Sequence, residues 1–314
     1  MSRSFECVAV VGLGLLGGSV ALAAKRRGVA ARVVGATRRQ DVRERALREG
    51  AVDEIASLKD VARGAELVVL ATPVYAMADT LRQLAPGLGE GAIVTDVGSV
   101  KSPLIETLPG LLPPGAVYVG SHPMAGSHER GMNHARADLF EGATCVVTEA
   151  QDARAVERVH EFWRGLGAVT VRREAMTHDV EVAWVSHVPH VLAFAFARAL
   201  ENAPAGAGAV AGSGFRDFTR IARSDAELWG DILTANRKAL TAPLQRVGAA
   251  LTEIARAIEA ADAEVLEQIL ASARETLSRT SPLPSGEHTA CTETNTPSST
   301  RGGDGTGDRS TDHE

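Results

Sequence analysis

The chain has 314 residues, of which 45% are hydrophobic and 23% are charged, so it is long enough for two globular domains with sizeable cores. Its net charge of −6 argues against the basic face that nucleic-acid-binding proteins need, and we expect no nucleic-acid partner. The sequence has neither a run of about eighteen apolar residues nor an apolar leader segment. Its three cysteines, Cys7, Cys145 and Cys291, are too widely spaced for a disulfide framework or a metal site. We therefore expect a cytoplasmic protein that binds no membrane and no metal.

Short apolar strands alternate with helical segments through the first half of the chain. The predicted strands are Val8–Val11, Arg32–Gly35, Leu67–Ala71, Ile93–Thr95, Val117–Val119 and Thr144–Val147. A predicted helix, Leu15–Arg27, separates the first two strands, and its basic end suits the negative end of the helix dipole. This alternation predicts an α/β domain over residues 1–149, built on a doubly wound parallel sheet.

After residue 149 the pattern becomes predominantly helical. The candidate helical stretches are Ala153–Gly165, Met176–Leu200, Ala226–Ala260 and Ala263–Ser278. Their apolar surface predicts an all-helical domain over residues 150–280 that bundles with a second copy of the chain to form a homodimer. Residues 281–314 are rich in Ser, Thr, Gly, Pro and Asp, and Leu283 is their only Leu, Ile, Val or Phe. Such a segment cannot offset its ordering entropy, so we predict a disordered tail.

A glycine-rich loop, Gly12-Leu13-Gly14-Leu15-Leu16-Gly17, follows the first predicted strand and opens the first helix. In this position the three glycines allow a tight turn, close approach of the backbone to a pyrophosphate, and close packing of helix on strand. The helix N-terminus then faces the phosphate charge. The loop therefore predicts a Rossmann-type dinucleotide-binding domain, and Thr72 and Pro73, after the third predicted strand, are assigned to the same cofactor site.

The end of the second predicted strand indicates which nicotinamide cofactor is bound. A carboxylate about twenty residues past the glycine loop would bind the ribose 2′-hydroxyl of NAD. Here the sequence is Gly35-Ala36-Thr37-Arg38-Arg39 instead. A hydroxyl followed by two guanidinium groups favours the 2′-phosphate of NADP, because arginine binds phosphate in a bidentate fork. The alternative is that both arginines belong to a solvated turn and that NAD is the cofactor.

Polar clusters follow the fourth and fifth predicted strands. They are Thr95–Lys101 and Gly120–Ser127, and both lie at the carboxyl ends of parallel strands, where open α/β sheets bind ligands. The second cluster contains His122, an acid/base candidate because imidazole titrates near neutral pH.

Two further polar clusters lie in the helical region. Ser186–His190 stands inside an apolar helix, which Pro189 should kink. Arg216 and Arg220 lie beside aromatic residues in Gly214–Asp225 and suggest a site for a carboxylate ligand.

Taken together, these segments resemble the prephenate/arogenate dehydrogenase family of tyrosine biosynthesis. The resemblance covers about residues 5–275 in family order, from the glycine loop to Phe215–Asp225 and Trp229. It implies oxidative decarboxylation of prephenate to 4-hydroxyphenylpyruvate with hydride transfer to NAD or NADP. It also implies that His122 accepts the proton of the substrate hydroxyl and that Ser99 holds this hydroxyl. The substrate contacts that the resemblance implies are Arg220, His190, Ser127 and Arg216.

One position departs from the family pattern, since many members have Glu where this chain has His128, with Glu129 one residue later. Other histidines also have structural interpretations. His178 and Asp179 are interpreted as a helix start, although His178 could reach the site, and His187 is interpreted as a core histidine.

Three alternative functions remain open. Arogenate dehydrogenase is the nearest, and a cationic His190 would disfavour the ammonium of arogenate. A 3-hydroxyacid dehydrogenase would need a catalytic lysine in the helical region, where Lys238 is the only one. A non-catalytic nucleotide sensor would keep the glycine loop but would not need Ser99, His122 and Arg220 together.

Overall fold

The computed structural model describes residues 4–126 and 129–280. The predicted substrate contact Ser127, the unusual His128 and the predicted tail 281–314 lie outside the described residues. Contacts within the chain divide it into two units, Met1–Leu251 and Thr252–Glu314. The first unit contains both sheets and all the residues of the cleft described below.

Six parallel strands form the main sheet in the order β3-β2-β1-β4-β5-β6. Their bounds are β1 Phe5–Val11, β2 Ala30–Ala36, β3 Glu54–Ile55, β4 Leu67–Leu70, β5 Ile93–Asp96 and β6 Val117–Tyr118. The helices of this part are α1 Leu15–Arg26, α2 Gln40–Arg48, α3 Val74–Leu84, α4 Ser102–Thr107 and α5 Ala153–Gly165. This strand order reverses direction between β1 and β4, which is the crevice where Rossmann folds bind a dinucleotide. The predicted fold class is confirmed.

The residues of β1 alternate between two hydrophobic clusters on opposite faces of the sheet. Val8 and Val10 pack with residues of α1, α2 and α5, whereas Cys7, Ala9 and Val11 pack with residues of α3 and α4. Because successive side chains of a strand point to opposite faces, a continuous apolar run is what a sheet covered on both faces requires. The core is thus centred on β1 and β4 and holds the glycine loop rigidly at their ends.

The predicted strand Thr144–Val147 was wrongly assigned to the main sheet. It forms β8 (Thr144–Thr148) in a separate three-stranded sheet, where it pairs antiparallel with β7 (Ser121–Pro123) and parallel with β9 (Val169–Arg173). An apolar run identifies a strand but not its partner. The small sheet matters for the site because its strand β7 carries His122.

The remaining helices are α6 Ala175–Val182, α7 Val188–Ala199, α8 Ser213–Arg220, α9 Ala226–Ala235, α10 Arg237–Glu259 and α11 Ala263–Thr280. A π-helical turn over Ala183–His187 joins α6 to α7 just before Pro189, where a kink was predicted. The predicted helical stretch Ala226–Ala260 is divided at Asn236 into α9 and α10. The domain boundary after residue 149 stays a prediction, and α5 packs on the same core as β1.

One stretch, Ala175–Asn202, is long and apolar enough by length and composition to cross a membrane. A core helix passes the same test, so a single stretch of this kind is weak evidence. Its polar side chains His178, Asp179 and His187 are buried and hydrogen-bonded within the protein. Although only 28% of its apolar window is buried in the chain, these polar contacts make the stretch part of the site.

Candidate active site

A cleft with a volume of about 720 Å³ opens between the ends of β1, β4 and β5 and the helices α7 to α9. It brings together nine of the predicted site residues, namely Gly14, Leu15, Leu16, Thr72, Pro73, Ser99, His122, His190 and Arg220. Among the described residues, no group of three or more His, Cys, Asp or Glu side chains could hold a metal ion.

The glycine loop has the geometry that a dinucleotide needs. Gly12 has a φ of +96°, and a Cβ there would lie 2.6 Å from the carbonyl oxygen of Ala71. A Cβ on Gly17 would lie 1.9 Å from the carbonyl oxygen of Gly12. A Cβ on Gly14, by contrast, would meet nothing within 4 Å, and no side chain caps the first turn of α1. Open space beside Gly14 and uncapped amides in α1 fit a pyrophosphate.

A buried ion pair organises the wall of the cleft below Ser99. The ammonium of Lys101 pairs with the carboxylate of Asp96, and both side chains are fully buried. Asp96 also accepts hydrogen bonds from the hydroxyl of Tyr118 at 2.8 Å and from the amide of Ser121 at 3.0 Å. Because a buried charge is stable only when it is paired and hydrogen-bonded, this arrangement fixes the turn after β5 against β6 and β7.

His122 lies on β7, buried to 8% exposure, and faces the cleft from the small sheet. Its Nδ1 lies 2.9 Å from Nε2 of His178 on α6, and Nδ1 of His178 lies 2.8 Å from a carboxylate oxygen of Asp179. Burial, followed by the nearby charges of His178, Lys101 and His187, lowers the pKa of His122 well below 6.5. The imidazole is therefore uncharged at neutral pH, the state that a proton acceptor requires.

Asp179 also joins α6 to the start of α4. Its carboxylate accepts the backbone amides of Lys101 and Ser102, each at 2.8 Å. Burial alone would raise the pKa of Asp179, but the hydrogen bond from His178 and those from the two residues of the α4 turn outweigh it and lower the pKa. This carboxylate is therefore ionised although it is buried.

Asn236, between α9 and α10, connects two of these buried groups. Its side-chain amide donates to the carbonyl oxygen of Asp179 at 2.9 Å and lies 3.0 Å from Nδ1 of His187. Burial lowers the pKa of His187 to about 4. His187 was interpreted as a core histidine; it is 1% exposed, although it also borders the cleft.

His190 stands on the wall opposite the cofactor loop. Its ring stacks on Trp229 with the ring centroids 3.6 Å apart, and its Nδ1 bonds to the carbonyl oxygen of Ser186 at 2.9 Å. Burial, and then the charge of Arg220, lower its pKa against the opposing effect of the Ser186 carbonyl. The position of His190 is thus fixed by a π-turn carbonyl and an aromatic ring.

The mouth of the cleft carries charges of both signs. Arg220 ends α8, and Arg130 forms an ion pair with Asp225 at the N-terminus of α9. Glu129 borders the cleft and bonds to Nδ1 of His134 at 2.8 Å. Anionic and cationic groups of a ligand would therefore both find partners here.

Outside the glycine loop, four of the predicted site residues that the structure describes do not line this cleft. Thr37, Arg38 and Arg39 lie at the end of β2, and Arg39 pairs with Asp41 at 2.5 Å. Arg216 is exposed on α8 and donates to the carbonyl oxygen of Ala211 at 3.0 Å. The assignment of these four residues stays a prediction.

Sequence reasoning missed the contact between His178 and His122 and the linking role of Asn236. It also missed Asp231 on α9, which borders the cleft and whose pKa is raised by burial against the opposing effect of the backbone amides of Tyr75 and Val74. The adjacent pair His178-Asp179 after a strand was the available signal, since a carboxylate next to a histidine suggests an oriented imidazole. Asn236 gave no such signal.

Two family models match this chain, one after the other along the sequence. Residues 20–172 match the family model described as prephenate dehydrogenase, nucleotide-binding domain, and residues 174–272 match prephenate dehydrogenase, dimerization domain. A prephenate dehydrogenase of Bacillus subtilis (strain 168) is 33% identical over 282 residues, which cover 88% of this chain and 76% of the relative.

Solved structures agree with the sequence matches. A prephenate dehydrogenase from Aquifex aeolicus, in complex with hydroxyphenyl propionate and NAD+, has a TM-score of 0.81 and 29% identity, and covers 89% of this chain and 99% of its own. An arogenate dehydrogenase from Synechocystis has a TM-score of 0.75 and 31% identity, and covers 87% of this chain and 99% of its own.

Proposed function

The chain belongs to the prephenate dehydrogenase family, and on that premise we propose that it converts prephenate to 4-hydroxyphenylpyruvate and CO2 in tyrosine biosynthesis. The observation that carries this proposal is the convergence of three kinds of group in one cleft. They are a dinucleotide cradle at Gly14, an uncharged buried imidazole at His122 and a guanidinium at the mouth, that of Arg220.

His122 is assigned the role of proton acceptor. Its imidazole takes the proton of the substrate hydroxyl as the ring carbon that bears this hydroxyl loses a hydride. When bound by the glycine loop with Thr72 and Pro73, NAD(P)+ supplies the acceptor for that hydride. Departure of the ring carboxylate as CO2 leaves its bonding electrons in the ring, which becomes aromatic, and the proton returns from His122 to the phenol oxygen.

The other cleft residues bind and orient the substrate. Ser99 borders the same wall as His122 and would hold the hydroxyl toward the imidazole. Arg220 would bind a substrate carboxylate, because a guanidinium matches the two oxygens of a carboxylate. His190, held by Trp229 and the carbonyl of Ser186, would contact the pyruvyl side chain. A dianionic substrate thus finds the cation of Arg220 and the uncharged imidazole of His190 opposite the cofactor.

Arogenate is the second candidate substrate, and the hydrogen bonding of His190 supports it. With Nδ1–H donated to the carbonyl of Ser186 and the ring uncharged, Nε2 offers a lone pair that an ammonium can use. The expectation that a cationic His190 disfavours arogenate therefore loses its basis at neutral pH. Glu129 and Glu227 on the cleft would also favour an ammonium.

We also propose that NADP is used, with NAD as the alternative. Thr37 and Arg38 support NADP, since Arg38 is exposed at the end of β2 and none of the ion pairs found among residues 4–126 and 129–280 includes it. Arg39 supports it less, because Asp41 already neutralises its charge. A homodimer is supported by exposed apolar side chains on the helical part of the first unit, residues 175–251, including Trp184, Phe196, Phe215 and Phe218.

The decisive experiment is a two-by-two kinetic matrix of prephenate and arogenate against NAD and NADP. We expect the largest kcat/KM for prephenate with NADP. A strong preference for arogenate would make arogenate the substrate, and a large advantage for NAD would make NAD the cofactor. Tight cofactor binding without turnover of either substrate would favour a nucleotide sensor.

Lys238, exposed on α10 and not on the cleft, gives no support to a lysine-dependent hydroxyacid dehydrogenase.

A further inference from the structure

Two fully buried side chains stand behind His122 and do not themselves line the cleft. His178 is 0% exposed and Asp179 is 1% exposed, and both come from α6, whereas His122 comes from β7. They cannot touch a substrate in the cleft. Any effect that they have on chemistry must therefore be indirect, and the group on the cleft that His178 contacts is His122.

Asp179 determines where His178 carries its proton. The carboxylate of Asp179 is ionised, accepts the amides of Lys101 and Ser102, and can only accept a hydrogen bond from the imidazole. At 2.8 Å from this carboxylate, Nδ1 of His178 must therefore be the donor. When the ring of His178 carries a single hydrogen, the other nitrogen, Nε2, has a lone pair and no hydrogen.

The same reasoning passes to His122. Its Nδ1 lies 2.9 Å from the lone pair on Nε2 of His178, so Nδ1 of His122 must donate. With one hydrogen on its neutral ring, His122 then has an unprotonated Nε2. Since Nδ1 is engaged inside the protein, Nε2 is the ring nitrogen left for a ligand in the cleft. The opposite tautomer would present N–H and could not accept a proton there.

We infer that Asp179 and His178 are positioning residues that hold His122 in the Nδ1–H tautomer, so that its Nε2 is a ready proton acceptor for the hydroxyl of the substrate. This inference rests on the proposed function for its catalytic consequence. The tautomer itself depends only on the three side chains. On this inference the helical part contributes to turnover as well as to binding, because α6 orients a base on β7, in the sheet part (residues 4–126 and 129–173).

The tautomer can be observed without any substrate. In protein labelled with 15N in histidine, the resonances of His122 are assigned by their loss in His122→Asn, and two-bond couplings report which ring nitrogen carries hydrogen. We expect Nδ1–H for His122 and for His178. Hydrogen on Nε2 of His122 in the wild-type protein would overturn the inference whether or not prephenate is turned over.

The kinetics of two His178 variants test whether the tautomer of His122 affects turnover. His178→Leu removes the acceptor, and we expect kcat to fall about 100-fold while KM and the cofactor Kd change by less than about twofold. His178→Gln can place an amide oxygen near the position of Nε2, and we expect it to recover at least about tenfold of this loss. The matched control is His160→Leu, which removes another buried histidine, 4% exposed on α5, and should change kcat less than about twofold.

The outcomes separate the inference from the proposed function. Equal kcat for the Leu and Gln variants, or an equal loss in His160→Leu, would reduce His178 to a packing role and overturn the inference. If the wild-type protein turns over neither prephenate nor arogenate, the proposed function fails, and the NMR measurement still decides the tautomer.

Discussion

The sheet part and the helical part of the first unit bury their polar side chains in different ways. Around the main sheet, the polar cluster built on Asp96 and Lys101 lies where β5 ends, a position that the topology of parallel sheets makes available for ligands. In the helical part, polar groups such as His178, Asp179 and His187 lie inside apolar helices. The topology of the strands therefore predicts where a site lies, whereas a buried polar group in a helix is recognised only through its hydrogen-bond partners.

The two parts also contribute different functions to the cleft. The sheet part supplies the cofactor cradle and His122, whose effects should be on turnover. The helical part supplies Arg220 and His190, whose direct effects should be on substrate affinity, with the relay from α6 as its contribution to turnover. Substitutions in each part should therefore separate effects on turnover from effects on substrate affinity.

The largest effect should come from His122→Asn. We expect kcat to fall by about 10²- to 10⁴-fold, because the variant removes the proton acceptor. The asparagine amide can still donate to Nε2 of His178, so the fold and the cofactor Kd should be nearly unchanged. Steady-state kinetics and cofactor titration measure the two quantities, and an equal loss of turnover and cofactor affinity would assign His122 a folding role.

Acid should destabilise the helical part through His187. Its pKa in the folded protein is about 4, compared with 6.5 for an ordinary histidine, because burial disfavours the imidazolium; His178 and His190 add to this effect and Asp179 opposes it. The unfolded chain therefore binds a proton first. The stabilisation is complete above pH 6.5 and is lost as pH falls toward 4, by about 3 kcal/mol for this group.

Urea unfolding between pH 7 and pH 4 measures this loss. His187→Gln keeps an uncharged hydrogen-bonding group and cannot be protonated, so its free energy of unfolding should fall less steeply with acid. Identical slopes for the variant and the wild-type protein would show that the acid sensitivity arises elsewhere.

Much of the sheet part could be predicted from the sequence, because its signals are local. The glycine loop needs only its own residues and the flanking strand and helix, and the apolar runs locate the main strands. The partner of Thr144–Thr148 could not be predicted, because pairing with Ser121–Pro123 depends on the path of the chain and not on composition. The short strand Val169–Arg173 was missed inside a region that had been predicted to be helical.

In the helical part, local sequence patterns predict the helices but not the hydrogen bonds that build the site. Helical periodicity predicts Met176–Leu200 well, but the contact between His122 and His178 joins residues 56 positions apart. Asn236 was placed within one long predicted helical stretch, yet it divides α9 from α10 while its side chain satisfies Asp179 and His187. Such long-range hydrogen bonds determine which buried histidine takes part in the reaction and which only stabilises the fold.

Arg220→Gln should raise the KM for prephenate and leave kcat within a few-fold of its original value. A hydrogen bond to a charged group contributes about 1.5–3 kcal/mol, which corresponds to roughly a 10- to 100-fold rise in KM. Arg223→Gln is the matched control, because Arg223 is exposed three residues later and does not line the cleft. Unchanged KM in Arg220→Gln, or a loss confined to kcat, would remove the assignment of substrate affinity to the helical part.

The smallest effect should come from Arg38→Ala, which tests the cofactor end of the sheet part alone. Arg38 is exposed, so its contact with a 2′-phosphate should contribute up to about 1 kcal/mol, and we expect KM for NADP to rise roughly two- to fivefold. KM for NAD and for prephenate should not change, because neither ligand places a charge near the end of β2. Arg48→Ala removes the same charge from the last turn of α2 and serves as the control. If both variants weaken NADP equally, the effect is one of net charge, and the end of β2 does not select the cofactor.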